Sequence, residues 1–233
     1  MTCEKVLVIA AHPDDEILGC GGTIARHSAD GDEVKMLIVA EGATSRSEHR
    51  LEETELLRAA SVAAALRLGV ADVESLGLPD NRLDSLALLD VVQAIESVLK
   101  SFRPTVVYTH HYGDLNIDHA VVARATATAA RPLPGSSVQS LLMYEVVSST
   151  GWNVSSGDCF VPSWFVDITP WMAAKMAALA EYAAEMRQWP HARSMEAVEA
   201  LAVHRGATVG VAAAEAFQLV RRVRGARLDS QSR

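Results

Sequence analysis

The chain has 233 residues, of which 49% are hydrophobic and 21% are charged, and its formal net charge is −8 at pH 7. That hydrophobic content is enough to form the core of a sizeable globular domain. The acidic balance argues against nucleic acid and against an anionic membrane surface as partners, because both attract clustered Lys and Arg side chains. The basic residues form no run beyond RRVR at 221–224, which we interpret as a solvated helix end.

Cysteine content and hydropathy favour a cytoplasmic protein. The three cysteines are an odd number and form no CxxC pair, which suits reduced thiols in a reducing compartment. No segment reaches the roughly 18 consecutive apolar residues that a membrane-spanning helix needs. We therefore expect a cytoplasmic chain without a membrane span.

Strand-like apolar runs alternate with helix-period segments through the first 130 residues. Near-continuous apolar strands that alternate with helices predict a parallel sheet covered on both faces. The expected fold class is α/β, a Rossmann-like three-layer sandwich with a mostly parallel central sheet. The predicted strands are residues 6–10, 34–40, 73–77 and 105–109, and the predicted helices are roughly residues 16–29, 47–68, 84–102 and 118–130.

A loop rich in Pro, Gly and Ser, residues 131–137, ends the fourth predicted helix. Beyond it we predict strands at 141–147 and 164–168 and a helix from 171 to about 188. No long flexible linker precedes this region. We therefore expect a single domain over residues 1–233, in which the part from about 140 onward forms an edge and a cap.

The first predicted strand is followed at once by AHPDDE, a histidine and three acids within residues 11–16. In open α/β sheets, ligands bind outside the carboxyl ends of the strands, and this cluster lies at such an end. Pro13 restricts the backbone of His12 and fixes its own φ, so the chain can turn and bring His12 and Asp15 to one side. The loop can therefore supply two metal ligands.

The carboxyl end of the fourth predicted strand offers further ligands in THHYGDLNIDH, residues 109–119. Strands one and four flank the switch point of a doubly wound sheet, so the two loops can meet. A His, Asp, His set with one open position is typical of a catalytic zinc site. The candidate ligands in this second loop are His110, His111, Asp114, Asp118 and His119.

AHPDDE and NIDH resemble the two signature motifs of the LmbE-like family, which includes the N-acetylglucosaminylphosphatidylinositol de-N-acetylases (PIG-L). The resemblance continues through EGATSR, LGLPDNRLD, YEVVSST and RGATVGVAAAEAF and covers almost the whole chain. It implies a Rossmann-like fold and zinc-dependent hydrolysis of an N-acyl group, usually an acetamide on a sugar, in a small-molecule substrate. It also allows a homo-oligomer, because relatives assemble as homo-oligomers.

The resemblance also implies roles for individual residues. By position, the zinc ligands are His12, Asp15 and His119, and Asp14 is the general base for the attacking water. Another divalent metal such as Fe²⁺ is the alternative to zinc. A bound cation would offset the repulsion among the three consecutive acids of AHPDDE.

The second motif departs from the family pattern at Asn116. Many relatives have His-x-Asp-His there, and their first His helps to stabilise the oxyanion while the Asp orients it. The amide of Asn116 can donate a hydrogen bond to an oxyanion but carries no positive charge. Either Asn116 acts as a neutral donor, or His110 or His111 reaches into the site. We expect Asp118 to orient a neighbouring side chain.

Four residues that follow other strands are candidates for substrate binding, namely Arg46, Asp80, Asn81 and Glu145. Asp80 could accept hydrogen bonds from sugar hydroxyls and Arg46 could bind an anionic group, as similar positions do in the family. Asp80 and Asn81 are equally compatible with a turn, and Arg46 with a solvent-facing helix position. His191 and Arg193 are predicted to lie on the surface of a loop, and Trp152 to pack in the core.

Three alternatives compete with a metal-dependent deacetylase. The acids of AHPDDE could cap the following helix. GCGG at 19–22 could be a phosphate loop, but its spacing matches no phosphate-binding motif, so close helix packing explains these glycines better. A family member could also have lost catalysis and act as a binding or assembly protein. Among the enzymes, an amidase that cleaves a larger conjugate is a related possibility.

Overall fold

The computed structural model describes residues 3–43, 51–154 and 157–225, and its strands join one sheet in the order β3-β2-β1-β4-β5-β7-β6. Strands β1 to β5 are parallel, and β7 runs antiparallel to both β5 and β6. The order in which strands are added to the sheet therefore reverses between β1 and β4, which is the switch point that the sequence predicts. The strands are β1 (Lys5–Ala10), β2 (Glu33–Ala40), β3 (Asp72–Leu78), β4 (Val106–His110), β5 (Ser140–Tyr144), β6 (Trp164–Asp167) and β7 (Ala214–Arg222).

Helices cover both faces of this sheet. Val6 and Val8 of β1 face one hydrophobic core, while Leu7 and Ile9 face the other, because side chains alternate across a strand. The first core includes residues of α1, α2, α5 and α6, and the second includes residues of α3 and α4. The predicted three-layer α/β sandwich is confirmed. The helices are α1 (Asp15–Ala29), α2 (Leu51–Arg67), α3 (Leu88–Phe102), α4 (Ile117–Ala129), α5 (Met172–Ala180) and α6 (Met195–Ala207).

Two sequence-based boundaries are wrong in the C-terminal third. The predicted helix from 171 to about 188 ends at Ala180. Arg221 and Arg222, predicted to end a helix, are the last residues of strand β7. Strand β7 inserts between β5 and β6, so this region extends the sheet and also covers one of its faces with α5 and α6. Within the described residues, no helix is both long and apolar enough to cross a membrane.

The GCGG segment lies inside α1 and is fully buried. A Cβ atom on Gly19 would lie 2.2 Å from Cδ2 of Tyr144, and one on Gly22 would lie 2.7 Å from Cβ of Ile168. These glycines therefore let α1 pack closely on its neighbours. This placement supports helix packing rather than a phosphate loop.

Candidate metal centre

Three side chains from the two predicted loops converge at the carboxyl ends of β1 and β4. Nδ1 of His12 lies 3.2 Å from Oδ2 of Asp15. Nε2 of His119, in the first turn of α4, lies 3.1 Å from the same oxygen and 3.3 Å from Nδ1 of His12. Three potential ligand atoms thus form a nearly equilateral triangle.

The triangle has the dimensions of one face of a zinc coordination tetrahedron. Ligands at about 2.0–2.1 Å from a tetrahedral zinc ion are about 3.3 Å from one another. The other nitrogen of each ring faces a carboxylate, since Nε2 of His12 lies 3.1 Å from Asp118 and Nδ1 of His119 lies 3.2 Å from Asp114. A carboxylate accepts a hydrogen bond, so each ring proton is held on that side and both lone pairs point into the triangle. The donor set therefore fits a divalent metal ion.

The carboxylates around the two histidines favour positive charge. Burial tends to lower the pKa of His12, but hydrogen bonds to Asp118 and Asp15 raise it well above the usual value. Burial also opposes charge on His119, yet Asp15 and Asp114 raise its pKa to about 9. The same carboxylates would also stabilise a bound metal cation.

A second carboxylate set, Asp80 and Asp118, meets His12 on the opposite ring nitrogen. Oδ1 of Asp80 lies 3.2 Å from Nε2 of His12. Both carboxylate oxygens of Asp118 already accept backbone hydrogen bonds. Its Oδ2 accepts the N–H of Asn81 at 2.7 Å, and its Oδ1 accepts that of Leu83 at 3.0 Å. The geometry fits the expectation that Asp118 orients a neighbouring side chain, and that neighbour is His12.

Asp14 stands beside the triangle in an unusual backbone conformation. Its φ of 101° is rare for a residue with a side chain, and its backbone N–H donates to Oε2 of Glu16 at 3.1 Å. Oε1 of Glu16 in turn accepts from the hydroxyl of Tyr182 at 2.5 Å. The side chain of Asp14 caps no N–H of α1, so the helix-cap alternative fails for this residue.

The carboxylate of Asp14 is paired with Arg193. Nη2 of Arg193 donates to Oδ2 of Asp14, while Oδ1 of Asp14 is buried and has no hydrogen-bond partner among the described residues. Burial raises the pKa of Asp14 well above its usual value, although Arg193 opposes this effect. Burial would also raise the pKa of Asp15, but His119 and His12 bring it well below the usual value. Asp15 thus stays a carboxylate, the form that binds a metal ion.

Asn116, at the departure from the family pattern, is the N-cap of α4. Its Oδ1 accepts the backbone N–H of Asp118 at 2.9 Å, and its Nδ2 donates to Oδ1 of Asn81 at 3.3 Å. His110 is fully buried and stacks on His119 with ring centroids 3.9 Å apart. Its Nε2 accepts the backbone N–H of Ala11 at 2.8 Å, so His110 supports the ligand set from behind.

A pocket of about 360 Å³ opens above the triangle, within the size range of small-molecule sites. Among the predicted substrate-binding residues, it includes Asp80 and Asn81. Glu145 does not line it, and both of its carboxylate oxygens accept from Arg205 at 2.7 Å. Arg46 lies outside the described residues. The pocket is lined by His12, Pro13, Asp14, Asp15, Gly42, Asp80, Asn81, Asn116, His119, Val146, Ser148, Ser149, Trp152, Glu185, Arg187, His191 and Arg193.

Neither His110 nor His111 belongs to that lining. Sequence reasoning assigned other positions to several residues that do, including His191, Arg193 and Trp152. Arg193 was predicted to lie on the surface, but it contacts Asp14 from a loop 179 residues away. Trp152 was predicted to pack in the core, but it is half exposed at the pocket. No local pattern around either residue indicates this position, because only the tertiary fold brings these loops to β1.

A larger cleft of about 660 Å³ lies at the opposite edge of the sheet, beside the loop at 132–139. Its lining includes Lys5, Arg103 and Arg221 but no His, Asp or Glu. Within the described residues, the clusters of three potential metal ligands both include His12, and His12 lines the pocket above the triangle together with Asp14. The lining residues of the pocket, rather than its volume, therefore identify the candidate site.

Comparison with known proteins identifies the family. The family model for PIG-L, GlcNAc-PI de-N-acetylase, matches residues 7–130, which include all three corners of the triangle. The chain is also 30% identical over 184 residues to YaiS of Escherichia coli (strain K12), an uncharacterised deacetylase, covering 76% of this chain and 89% of that protein. The chain belongs to the PIG-L family.

Two further comparisons show how far the likeness extends. A 1D-myo-inositol 2-acetamido-2-deoxy-alpha-D-glucopyranoside deacetylase of Geodermatophilus obscurus is 32% identical over 162 residues. That match covers 55% of this chain and about half, 54%, of the relative. The structure of the N,N'-diacetylchitobiose deacetylase of Pyrococcus horikoshii aligns with a TM-score of 0.76 and 22% identity over 94% of this chain and 84% of that one, which shows a shared fold. The predicted family and the predicted enzyme class, a hydrolase of the deacetylase type, are confirmed.

Proposed function

We propose that this PIG-L family member removes an N-acetyl group from a small molecule that contains an amino sugar. The observation that carries the proposal is the triangle of His12, Asp15 and His119 at the base of a pocket that also contains Asp14. The family description and the acetamido-sugar substrate in the name of the Geodermatophilus relative support the substrate class.

The three residues of the triangle would hold one zinc ion, or another divalent metal such as Fe²⁺. When bound, zinc supplies a Lewis acid that polarises the acyl oxygen and lowers the pKa of a water molecule. The chain orients this site through Asp118 and Asp114, which hold the ring protons of the two histidines away from the triangle. His110 packs behind His119 and fixes the position of its ring.

Asp14 acts as the general base and then as the general acid. Its Oδ1 accepts a proton from the attacking water while a C–O bond forms at the acyl carbon. The same carboxyl then gives that proton to the sugar nitrogen as the C–N bond breaks, so the products are acetate and the free amine. A positioned acid or base contributes about 10² to 10⁴ in rate, and we expect Asp14→Asn to lower kcat by that factor.

The sugar lies in the pocket above Asp14 in this proposal. Asp80 and Asn81 line this pocket, and their contact with the sugar hydroxyls is part of the proposal. Trp152 presents an exposed indole at the same pocket, and aromatic faces pack well against the apolar side of a ring. Arg46 and Glu145 stay predicted substrate contacts, although Glu145 is paired with Arg205.

Metal content and amine release test the proposal together. Wild type, purified without a metal-affinity tag, is compared with His119→Ala and with the control His27→Ala, whose ring faces Asp32 and Tyr108 outside the site. We expect about one metal ion per chain in wild type and in the control, and loss of that metal in His119→Ala. Wild type should release amine from at least one member of a panel of N-acetylated sugars.

The two remaining alternatives predict other outcomes. A family member that has lost catalysis would bind the metal but release no amine from any substrate. An amidase for larger conjugates would be inactive on free N-acetyl sugars and active on N-acyl conjugates with a bulky leaving group. A wild type that binds no divalent metal at equilibrium would contradict the proposal itself.

A further inference from the structure

Arg193 places a fixed positive charge beside the reacting centre. It lies in the loop between α5 and α6, and its Nη2 donates to Oδ2 of Asp14. The same side chain lines the pocket together with the three residues of the triangle. Because a guanidinium stays protonated at every physiological pH, this charge is permanent.

The loop that carries Arg193 is anchored on both sides of the residue. The backbone N–H of Arg193 donates to Nδ1 of His191 at 3.0 Å, and its carbonyl accepts the N–H of Arg187 at 3.0 Å. The next residue, Ser194, is fully buried and caps α6 by accepting the N–H of Ala197 at 3.1 Å. The fold thus directs this side chain toward Asp14.

Most of the hydrogen-bonding capacity of Arg193 is uncommitted. A guanidinium has five N–H donors, and within the described residues only Asp14 receives one from Arg193. Nε of Arg193 is buried with no partner there, while the side chain as a whole remains 28% exposed. One oxygen of Asp14 is likewise available, since its Oδ1 has no hydrogen-bond partner in the part of the chain that the structure describes. A donor and an acceptor are therefore both available at one point of the pocket.

The other polar groups of the pocket are less suited to stabilise an oxyanion. Asn116 is the N-cap of α4, and its amide nitrogen donates to Asn81. Arg187 also lines the pocket, but its Nη1 donates to the carbonyls of Ala184 and Met186. Among the described pocket residues, Arg193 is the cation that contacts the proposed general base.

We propose that Arg193 is a catalytic residue that stabilises the negative charge on the acyl oxygen while it holds Asp14 in place. This inference rests on the proposed deacetylation. As the water oxygen bonds to the acyl carbon and its proton moves to Asp14, the C=O electron pair moves onto the acyl oxygen, which accepts an N–H of Arg193. When the C–N bond breaks, that pair returns to the C=O bond and the amine takes the proton from Asp14.

Arg193→Gln tests the proposal, with Arg131→Gln as the control, because the Arg131 guanidinium pairs with Glu96 outside this pocket. Loss of an oxyanion donor costs about 10²–10³ in kcat, and we expect this loss in Arg193→Gln with KM little changed. Arg131→Gln should keep kcat within about threefold, because its guanidinium does not contact the reacting groups. Both variants are measured on the best substrate of the N-acetyl sugar panel.

Binding of a charged tetrahedral mimic gives a second measurement that does not depend on turnover. The probe is the methylphosphonamide of glucosamine, in which a charged P–O group replaces the acetyl C=O, and the reference ligand is glucosamine. Arg193→Gln should bind the phosphonamide about 10²-fold more weakly and glucosamine with unchanged affinity. Equal weakening for both ligands, or kcat within about threefold of wild type, would overturn the proposal.

Two controls separate the possible failures. An inactive wild type would contradict the proposed function before Arg193 is considered. If Arg193→Gln loses metal or stability, kcat is measured instead for Arg193→Ala. The measurement is made with and without guanidinium chloride, at concentrations too low to unfold the protein. Restoration of kcat at saturating substrate supports the proposal, and no restoration overturns it.

Discussion

Nε2 of His12 lies 3.1 Å from Oδ2 of Asp118, on the side of the ring that faces away from the other two proposed metal ligands. Asp118 is itself fixed, because its two oxygens accept the backbone N–H groups of Asn81 and Leu83. One carboxylate therefore sets both the tautomer and the orientation of a ligand without entering the triangle. Such support usually matters to metal affinity almost as much as the ligands do.

We expect Asp118→Asn to weaken zinc binding about 10- to 100-fold. Asn offers a single acceptor oxygen to three N–H donors, so the His12 ring loses its fixed orientation. Competition with a chelator of known affinity measures the effect. Asp32→Asn is the control, since Asp32 contacts Nδ1 of His27 at 2.7 Å in a comparable pair outside the site. Unchanged zinc affinity in Asp118→Asn would show that Asp118 does not orient His12.

The two loops that carry the proposed ligands could be predicted from the sequence because each loop follows a strand, whereas the choice of His119 within the second loop came from the family resemblance. His12 comes shortly after β1, and His119 lies in the first turn of α4, the helix that follows β4. Parallel neighbours expose their carboxyl ends at the same edge of the sheet. Identification of the strands and of their switch point was therefore enough to bring two distant loops together. The hydrogen-bond partners of Asp118 could not be predicted in the same way, since they depend on how the turn after β3 packs on α4.

Arg193 and strand β7 show where sequence patterns carry too little information. Arg193 is a charged residue in a loop, and its pattern is that of an ordinary surface position, whereas its contact with Asp14 depends on the packing of α5 and α6. The segment Ala214–Arg222 is rich in Ala and charged residues, and its first four residues are all buried. It lacks the polar and apolar alternation that indicates a strand, which explains the incorrect helix end predicted at Arg221 and Arg222.

Replacement of Asn116 separates its capping role from a catalytic one. We expect Asn116→Ala to lower the free energy of unfolding by about 1 kcal/mol, because α4 loses its N-cap, and Asn116→Ser to lower it much less, because Ser is also a good N-cap. Urea denaturation measures both. If Arg193 supplies the oxyanion charge, Asn116→Ser should also keep kcat within about threefold. A stable Asn116→Ser variant with kcat reduced 100-fold or more would instead assign the oxyanion donor to the amide of Asn116.

Gly19 allows α1 to approach Tyr144, whose hydroxyl donates to the carbonyl of Ile9 at 2.9 Å. A Cβ at position 19 would lie 2.2 Å from the Tyr144 ring, and overpacking of this kind typically costs about 1–3 kcal/mol. We expect Gly19→Ala to lower the free energy of unfolding by that amount, as measured by urea denaturation. Gly225→Ala is the control, because a Cβ at that position would have no heavy atom within 4 Å. Equal stability of the two variants would contradict this account of GCGG.

Lys175 and Glu215 form an ion pair at 2.6 Å whose side chains are each only 4% exposed. The Lys175 ammonium also donates to the carbonyl of Leu18, and the Glu215 carboxylate accepts the N–H groups of Gly22 and Thr23. The pair therefore joins α5 and β7 to α1, the helix that begins with a proposed metal ligand. Its removal should destabilise the packing that positions that helix.

We expect Lys175→Met to lower the free energy of unfolding by about 3–5 kcal/mol, because it leaves the Glu215 carboxylate buried without a compensating charge. Urea denaturation of the metal-free protein measures this cost without a contribution from metal binding. Arg67→Met is the control, since the Arg67 and Glu181 pair is at the surface and exposed pairs contribute at most about 1 kcal/mol. The double variant Lys175→Met, Glu215→Gln should lose less than the sum of the two single variants, because the second change removes the uncompensated charge. Additive losses, or a cost for Lys175→Met no larger than that for Arg67→Met, would show that the buried pair does not hold α1 in place.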